Sequence, residues 1–240
     1  MTTPEWLTAR PIAHRGYHDM NRSVFENTLS AFKRAVEAGF AIECDLQYAA
    51  DGVPVVFHDP NLKRLCAVEG VLRDRLSSDL QQMAIGGSRD RIPSVAQLLN
   101  TVAGKVPLVI ELKGCEGDDE GFAGAVLDAL EGYDGPLALM SFNVWLLEEL
   151  KALGAPMPVG LTAEGTAPER LETNRQAMAH GLDFVSYNWE HLPNPFIDDL
   201  RAKGTPVITW TVRNEEGVRA TRLHGDQMTF EGFDPREVSA

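Results

Sequence analysis

Short apolar runs rich in β-branched residues recur along this chain, and between them apolar residues return every three or four positions. The short runs read as strands at 11–14, 41–46, 54–58, 107–113, 137–142, 158–162, 183–187 and 206–212. Several open on proline, which a strand tolerates at its first residue. The longer stretches read as amphipathic helices. In SVFENTLSAFKRAVEAGF, Leu29, Phe32 and Val36 share a face with the alanines, and Gly39 stands where a C-cap belongs. GFAGAVLDALEGY, NVWLLEELKALG and APERLETNRQAMAHG repeat the pattern. Alternating strands and helices build a parallel sheet. Eight strands in 240 residues favour a closed (β/α)8 barrel of the TIM type over an open doubly wound sheet, which has the same periodicity.

The spacing is uneven in one place. Residues 59–106, between the third and fourth of these strands, are too many for one crossover helix. With mixed charges and the pair Gly86-Gly87 they read as an excursion, a small insertion or cap over the strand ends. No repeat, low-complexity tract or linker divides the remainder, so residues 1–240 are expected to form one domain.

Ionisable residues close several of the apolar runs. In AIECDLQ, Glu43 and Asp45 are two apart and leave the same face of the strand. Glu111 and Lys113 repeat that spacing in PLVIELK, while His14 ends the run in PIAHRG and His58 the one in PVVFHD. Such groups are costly in a core unless they converge on a ligand, a metal or one another. Taken singly, the two carboxylates would read as solvated and either histidine as structural. The C-terminal strand ends of a barrel, however, surround one mouth, so these four ends are expected to share a site. Three carboxylates supply the hard oxygens that suit Mg²⁺ or Ca²⁺.

Composition narrows the partners. A net charge of -13 weighs against binding to nucleic acid or an anionic membrane surface, both of which require phosphates to be neutralised. Cys44, Cys66 and Cys115 are odd in number and lack CxxC spacing, which suits reduced thiols and gives no sign of a zinc site. No segment approaches the roughly 18 apolar residues of a membrane span, and the start MTTPEWLTARPIAHRG has no apolar run behind a basic end; a cytoplasmic location is the expectation.

In order along the chain stand His14-Arg15-Gly16, Glu26-Asn27-Thr28, Glu43-x-Asp45, Asp51-Gly52, Val55-Val56-x-His58-Asp59 and Glu111-x-Lys113, then Ser141-Phe142 and Trp210-Thr211-Val212. In this order and spacing the sequence resembles the glycerophosphodiester phosphodiesterase family over most of its length. The resemblance implies a (β/α)8 barrel that uses one divalent cation, Mg²⁺ or Ca²⁺, to hydrolyse glycerophosphodiesters to sn-glycerol 3-phosphate and an alcohol. By position it implies that His14 and His58 are catalytic and that Glu43, Asp45 and Glu111 hold the metal. It further implies that Arg15 binds phosphate, that Lys113 lies beside the metal, and that Glu26 and Asn27 support the site. One histidine would take a proton from the nucleophile, either water or the substrate's vicinal hydroxyl, and the other would protonate the departing oxygen; His14 is assigned as base and His58 as acid.

Trp210 and Phe142 are candidates to cover the glycerol or the alcohol, with ordinary barrel packing the alternative. His18 is a lesser candidate at the mouth, and His180, His191 and His224 show no convergent partners. The sequence departs from the family pattern twice. The turn reads Tyr48-Ala49-Ala50-Asp51-Gly52 where the family often has Thr-x-Asp-Gly, and HGDQMTFEGFDP replaces an Asp-Gly-(Ile/Val)-x-Thr-Asp-x-Pro closing segment, leaving the closing strand around 226–235 unassigned. Two rival readings are a lysophospholipase D-like or sphingomyelinase D-like enzyme acting on phospholipids, and a metal- and phosphate-binding barrel without catalysis. The first would want an apolar loop at the mouth or a secretory signal, neither of which is seen; the second would not need two histidines. The expected partner is a small glycerophosphodiester, with no nucleic acid and no stable membrane association.

Overall fold

The computed structural model describes residues 4–238. Eight parallel strands close into a barrel: β1 (Ile12–Ala13), β2 (Ala41–Tyr48), β4 (Leu108–Leu112), β5 (Leu137–Ser141), β6 (Val159–Ala163), β7 (Phe184–Asn188), β8 (Val207–Val212) and β9 (Gln227–Phe230). Each pairs with the next in this order, and β9 and β2 both pair with β1 to complete the circle. The connecting helices are α1 (Leu29–Ala38), α4 (Val95–Val102), α5 (Phe122–Leu130), α6 (Val144–Ala152), α7 (Pro168–Met178), α8 (Pro195–Ala202) and α9 (Glu215–His224). Gly39 ends α1 at φ 75°, its N–H donating back to Ala35 and Val36, as the sequence predicts.

The barrel is the expected one, but one strand differs. The segment at 54–58 is not a barrel strand. β3 (Pro54–Val56) turns back at Asp51-Gly52 and pairs antiparallel with β2. Five residues between β2 and β3 permit a hairpin, whereas a parallel return needs a crossover of a dozen or more. The eighth barrel strand is β9, in the segment the sequence left unassigned. Its letters QMTF carry little strand signal, and it is held by pairing on both edges, with β8 and β1.

Side chains alternate between two environments. Outward-facing residues such as Ile42, Cys44, Leu46, Ile110 and Leu139 pack against the helices in the main core. Inward-facing Ile12, Ala41, Val109, Ala138, Met140, Phe184 and Ile208 form a second, smaller apolar cluster inside the barrel, with Leu7 beneath them. β6 contributes Gly160 to this layer, and a Cβ there would lie 2.4 Å from the Phe184 ring. The barrel floor is thus a packed apolar plug, and inward residues become polar only nearer the C-terminal strand ends.

Between β3 and α4 the chain forms α2 (Lys63–Cys66) and α3 (Ser77–Leu80) around a satellite cluster that includes Phe57, Leu62, Leu65, Leu72, Leu80, Ile85 and Ile92. The excursion therefore has apolar contacts of its own, while α4, inside the 59–106 range, belongs to the outer helical ring and contacts α1 and α5. Among the described residues no helix is long and apolar enough to cross a membrane.

Candidate active site

At the C-terminal end of the barrel a cavity of about 270 Å³ is lined by His14, Arg15, Glu43, Asp45, His58, Glu111, Lys113 and Trp210, among others. The residues that the sequence nominates for metal and proton transfer, together with Arg15, Lys113, Phe142 and Trp210, thus reach one site. Glu26 and Asn27 stand just behind it.

The local geometry follows from the chain's turns. After β1, Arg15 and Gly16 both take positive φ, 55° and 80°, which swings the backbone across the barrel end. A Cβ on Gly16 would lie 2.8 Å from that of Ala31, so only glycine lets α1 pack this close. The Arg15 N–H donates to Glu43 Oε2 at 2.8 Å, and its guanidinium reaches Glu26 Oε1 at 2.6 Å. Asn27, also at positive φ, donates from Nδ2 to Asp45 Oδ2 at 2.8 Å and accepts from the Asp45 N–H. Just past β4, Lys113 Nζ donates to Glu111 Oε1 at 2.6 Å and lies 3.3 Å from Asp45 Oδ1.

Glu43, Asp45 and Glu111 are all buried, and one oxygen from each lies within 4.8 Å of the others. Burial, together with repulsion from Asp45 and Glu111, pushes the Glu43 carboxyl well above its ordinary range. Burial and the Asp45 charge likewise raise Glu111, against the pull of Lys113. Burial works on Asp45 as well, but Lys113, Arg15 and His58 outweigh it and keep that group low. An all-oxygen donor set of three buried carboxylates fits a hard divalent cation. Cys44, between Glu43 and Asp45 on β2, points the other way into the outer core and offers no thiolate.

Each histidine carries a carboxylate on Nδ1, and each carboxylate is gripped by an arginine. His14 Nδ1 is 2.6 Å from Glu231 Oε2, and Arg213 Nε donates to Glu231 Oε1 at 2.6 Å. His58 Nδ1 is 2.8 Å from Asp59 Oδ1, and Arg64 donates to both Asp59 oxygens at 2.6 and 2.8 Å. Arg64 also donates to both oxygens of Glu26, at 2.7 and 2.8 Å. Burial pushes Glu231 and Glu26 upward, but hydrogen bonds and cations outweigh it and hold both well below the usual carboxylate range. An ionised carboxylate only accepts, so Nδ1 of each ring is the donor and Nε2 is left for chemistry. Burial lowers the pKa of His14 and of His58, opposed chiefly by Glu231 in the first and Asp45 in the second.

The sequence reading missed Glu231, Arg64 and Arg213 and gave Asp59 no role. The one available signal was an acid closing the run QMTF, the same pattern that marks Glu111. Trp210 lines the cavity, its Nε1 donating to the Ser186 carbonyl at 3.0 Å and its ring meeting Phe142 edge-on at 5.4 Å. His18 is not at the mouth. It is buried, with Nδ1 accepting from the Met20 N–H and Nε2 3.5 Å from Glu231.

The model of the glycerophosphoryl diester phosphodiesterase family matches residues 14–231, from His14 to the glutamate that holds it. The chain belongs to this family. It is accordingly an enzyme, a phosphoric diester hydrolase. The glycerophosphodiester phosphodiesterase of Caldanaerobacter subterraneus is 28% identical over 215 residues, spanning 85% of this chain and 86% of that one. Among solved structures, the Oleispira antarctica phosphodiesterase in complex with the product sn-glycerol-3-phosphate superposes with a TM-score of 0.81 over 92% of both chains at 24% identity. The glycerophosphodiester phosphodiesterase of Thermotoga maritima does so with a TM-score of 0.74 over 91% of this chain and 92% of the other, at 25% identity.

Proposed function

We propose that this enzyme hydrolyses glycerophosphodiesters to sn-glycerol 3-phosphate and a free alcohol, with Glu43, Asp45 and Glu111 holding one Mg²⁺ or Ca²⁺ and His14 and His58 moving protons. The observation that carries the reading is the pair of carboxylate-held histidines at the three-carboxylate cluster inside one cavity. When bound, the cation supplies charge neutralisation at the phosphate and lowers the pKa of an oxygen beside it. Arg15, fixed by Glu26, presents a guanidinium to the phosphate, and Lys113 adds a second positive charge.

His14 accepts the proton from the attacking oxygen at Nε2, while Glu231 holds the opposite nitrogen. The new P–O bond forms as the bond to the departing alcohol oxygen breaks, and His58 gives that oxygen its proton. Proton transfer by a placed histidine contributes about 10²- to 10⁴-fold per group. The nucleophile is water, or the vicinal glycerol hydroxyl followed by water; in the second case the histidines exchange roles.

The complex of the Oleispira antarctica relative with sn-glycerol-3-phosphate supports the same product class here. The size of the cavity favours a small diester over a phospholipid, since drug-sized ligands occupy about 300–1,000 Å³. We place the enzyme in the cytoplasm, as a single domain whose excursion shapes the rim of the site.

The deciding experiment follows release of glycerol 3-phosphate from glycerophosphocholine and glycerophosphoethanolamine with Mg²⁺, Ca²⁺ or EDTA, for the wild type, His14→Ala and Glu43→Ala. Cation-dependent release lost in both variants is the expected result. No release with either cation overturns the substrate, and release that persists in EDTA overturns the metal.

A further inference from the structure

Glu231 has a second imidazole against it. His18, in the loop between β1 and α1, is buried and does not line the cavity. Its Nδ1 accepts the Met20 N–H at 3.1 Å and so carries no proton, which in the neutral ring puts the proton on Nε2. That buried N–H has no hydrogen-bond partner at ordinary distance, and it lies 3.5 Å from Glu231 Oε2, the same oxygen that His14 Nδ1 meets. The loop is built to keep the ring in this place. Asp19 Oδ1 accepts the N–H groups of Arg22, Ser23 and Val24 at 2.9 to 3.0 Å, and Met20 and Asn21 both take positive φ, 61° and 60°. A Cβ on Gly232 would lie 3.2 Å from the Met20 sulfur, so the loop is seated directly on the residue after Glu231.

The turn at His18 needs only an acceptor two residues before the N–H it receives, and asparagine or aspartate supplies one from a shorter side chain. What those residues lack is the far nitrogen. A buried N–H left unpaired destabilises a fold, so a ring that carries one toward a single carboxylate oxygen calls for a use. Glu231 supplies it. The arginine on its other oxygen, Arg213, is 56% exposed, and an exposed ion pair holds geometry weakly. A buried donor at Oε2 fixes the plane of the carboxylate, and with it the direction in which His14 Nε2 points. The contact is long in the free protein, and contacts around a reacting centre commonly tighten once the substrate is in place. We infer that His18 is a positioning residue for His14, acting through Glu231. The inference rests on the proposed role of His14 as base and extends it by one shell, into the β1–α1 loop.

The test measures kcat and KM for glycerol 3-phosphate release from glycerophosphocholine, in the full-length protein with Mg²⁺ or Ca²⁺, for His18→Asn and His18→Gln, each alone and combined with Glu231→Gln. Asparagine keeps an acceptor for the Met20 N–H but stops short of Glu231. Glutamine reaches Glu231 with an amide N–H and gives up the bond within the loop. His18→Asn is expected to lower kcat about tenfold with KM little changed, and His18→Gln to stay within about threefold of the wild type. With Glu231→Gln already present, His18→Asn is expected to remove less than about a further twofold, because the two residues act as one unit. A histidine that serves the loop alone gives the opposite order, with the glutamine variant damaged and the asparagine variant sound, and that result overturns the inference. So does a wild-type kcat in His18→Asn, or its full loss repeated in the Glu231→Gln background. A loss of about tenfold in His18→Gln overturns it without reference to the shorter variant. A wild type that releases no glycerol 3-phosphate, or a His14→Ala variant that keeps the wild-type kcat, overturns instead the proposed reaction or the proposed base, an outcome separate from these.

Discussion

A neutral imidazole donates from one nitrogen and accepts at the other, and here that choice is made twice by a carboxylate held in turn by an arginine. Glu231 holds His14 and does not itself line the cavity, so it is a positioning residue. Glu231→Gln keeps the shape but no longer demands a donor at Nδ1; kcat for glycerol 3-phosphate release is expected to fall about 10- to 100-fold with KM little changed. An unchanged kcat in initial-rate measurements would remove Glu231 from the mechanism. Glu231 and Glu26 also tie stability to pH. Both are held below the ordinary carboxylate range in the folded state, so the unfolded chain binds more protons as acid is added. Their stabilisation is complete above the ordinary range, near pH 5, and is lost as pH falls further. Urea midpoints are therefore expected to drop steeply from about pH 5 to 3, and less steeply in Glu231→Gln. At this scale the sequence was legible where a charged residue interrupts an apolar run, as at Glu43, Asp45 and His58. It was silent on Arg64 and Arg213, because an arginine in a loop is ordinary until its partner's position is known.

Among elements, α2 carries more than its four residues suggest. Arg64 joins Asp59, which holds His58, to Glu26, which holds Arg15, so one guanidinium from the excursion fixes both the proposed proton donor and the proposed phosphate clamp. Arg64→Ala is expected to slow hydrolysis of glycerophosphocholine at least tenfold, while a diester with a p-nitrophenolate leaving group, which needs no proton, loses much less. Equal losses on both substrates would show a general distortion. The two strand errors also belong here. A strand's partner is decided by the length of the connection before it, which is why 54–58 reads as a barrel strand by composition and is a hairpin by geometry. β9 has the opposite character: weak letters, strong neighbours. Strand signals report how well a segment fits a pleated surface, and a segment paired on both edges needs less of that signal.

At the scale of the whole molecule the eightfold alternation was readable because it recurs, and each recurrence supports the others. The cation should appear in the thermodynamics as well as in the rate. Binding to the three carboxylates stabilises the folded state only, so saturating Mg²⁺ or Ca²⁺ is expected to raise the unfolding midpoint by about 5–10 °C, and Glu43→Gln to abolish the rise. Differential scanning calorimetry in EDTA and in added cation reads this directly. The apolar plug beneath the site has a kinetic consequence. With Phe184, Ile208 and Leu7 sealing the far end, the barrel is a blind well, and everything that enters must leave by the way it came. On the proposed reaction the phosphomonoester stays with the carboxylate cluster and the cationic side chains beside it, so the two products are expected to depart in a fixed sequence, alcohol first and phosphomonoester last. Glycerol 3-phosphate should compete with substrate for the empty enzyme, while the alcohol should inhibit without competing, and an accumulating phosphomonoester would throttle the enzyme by queueing at its single door.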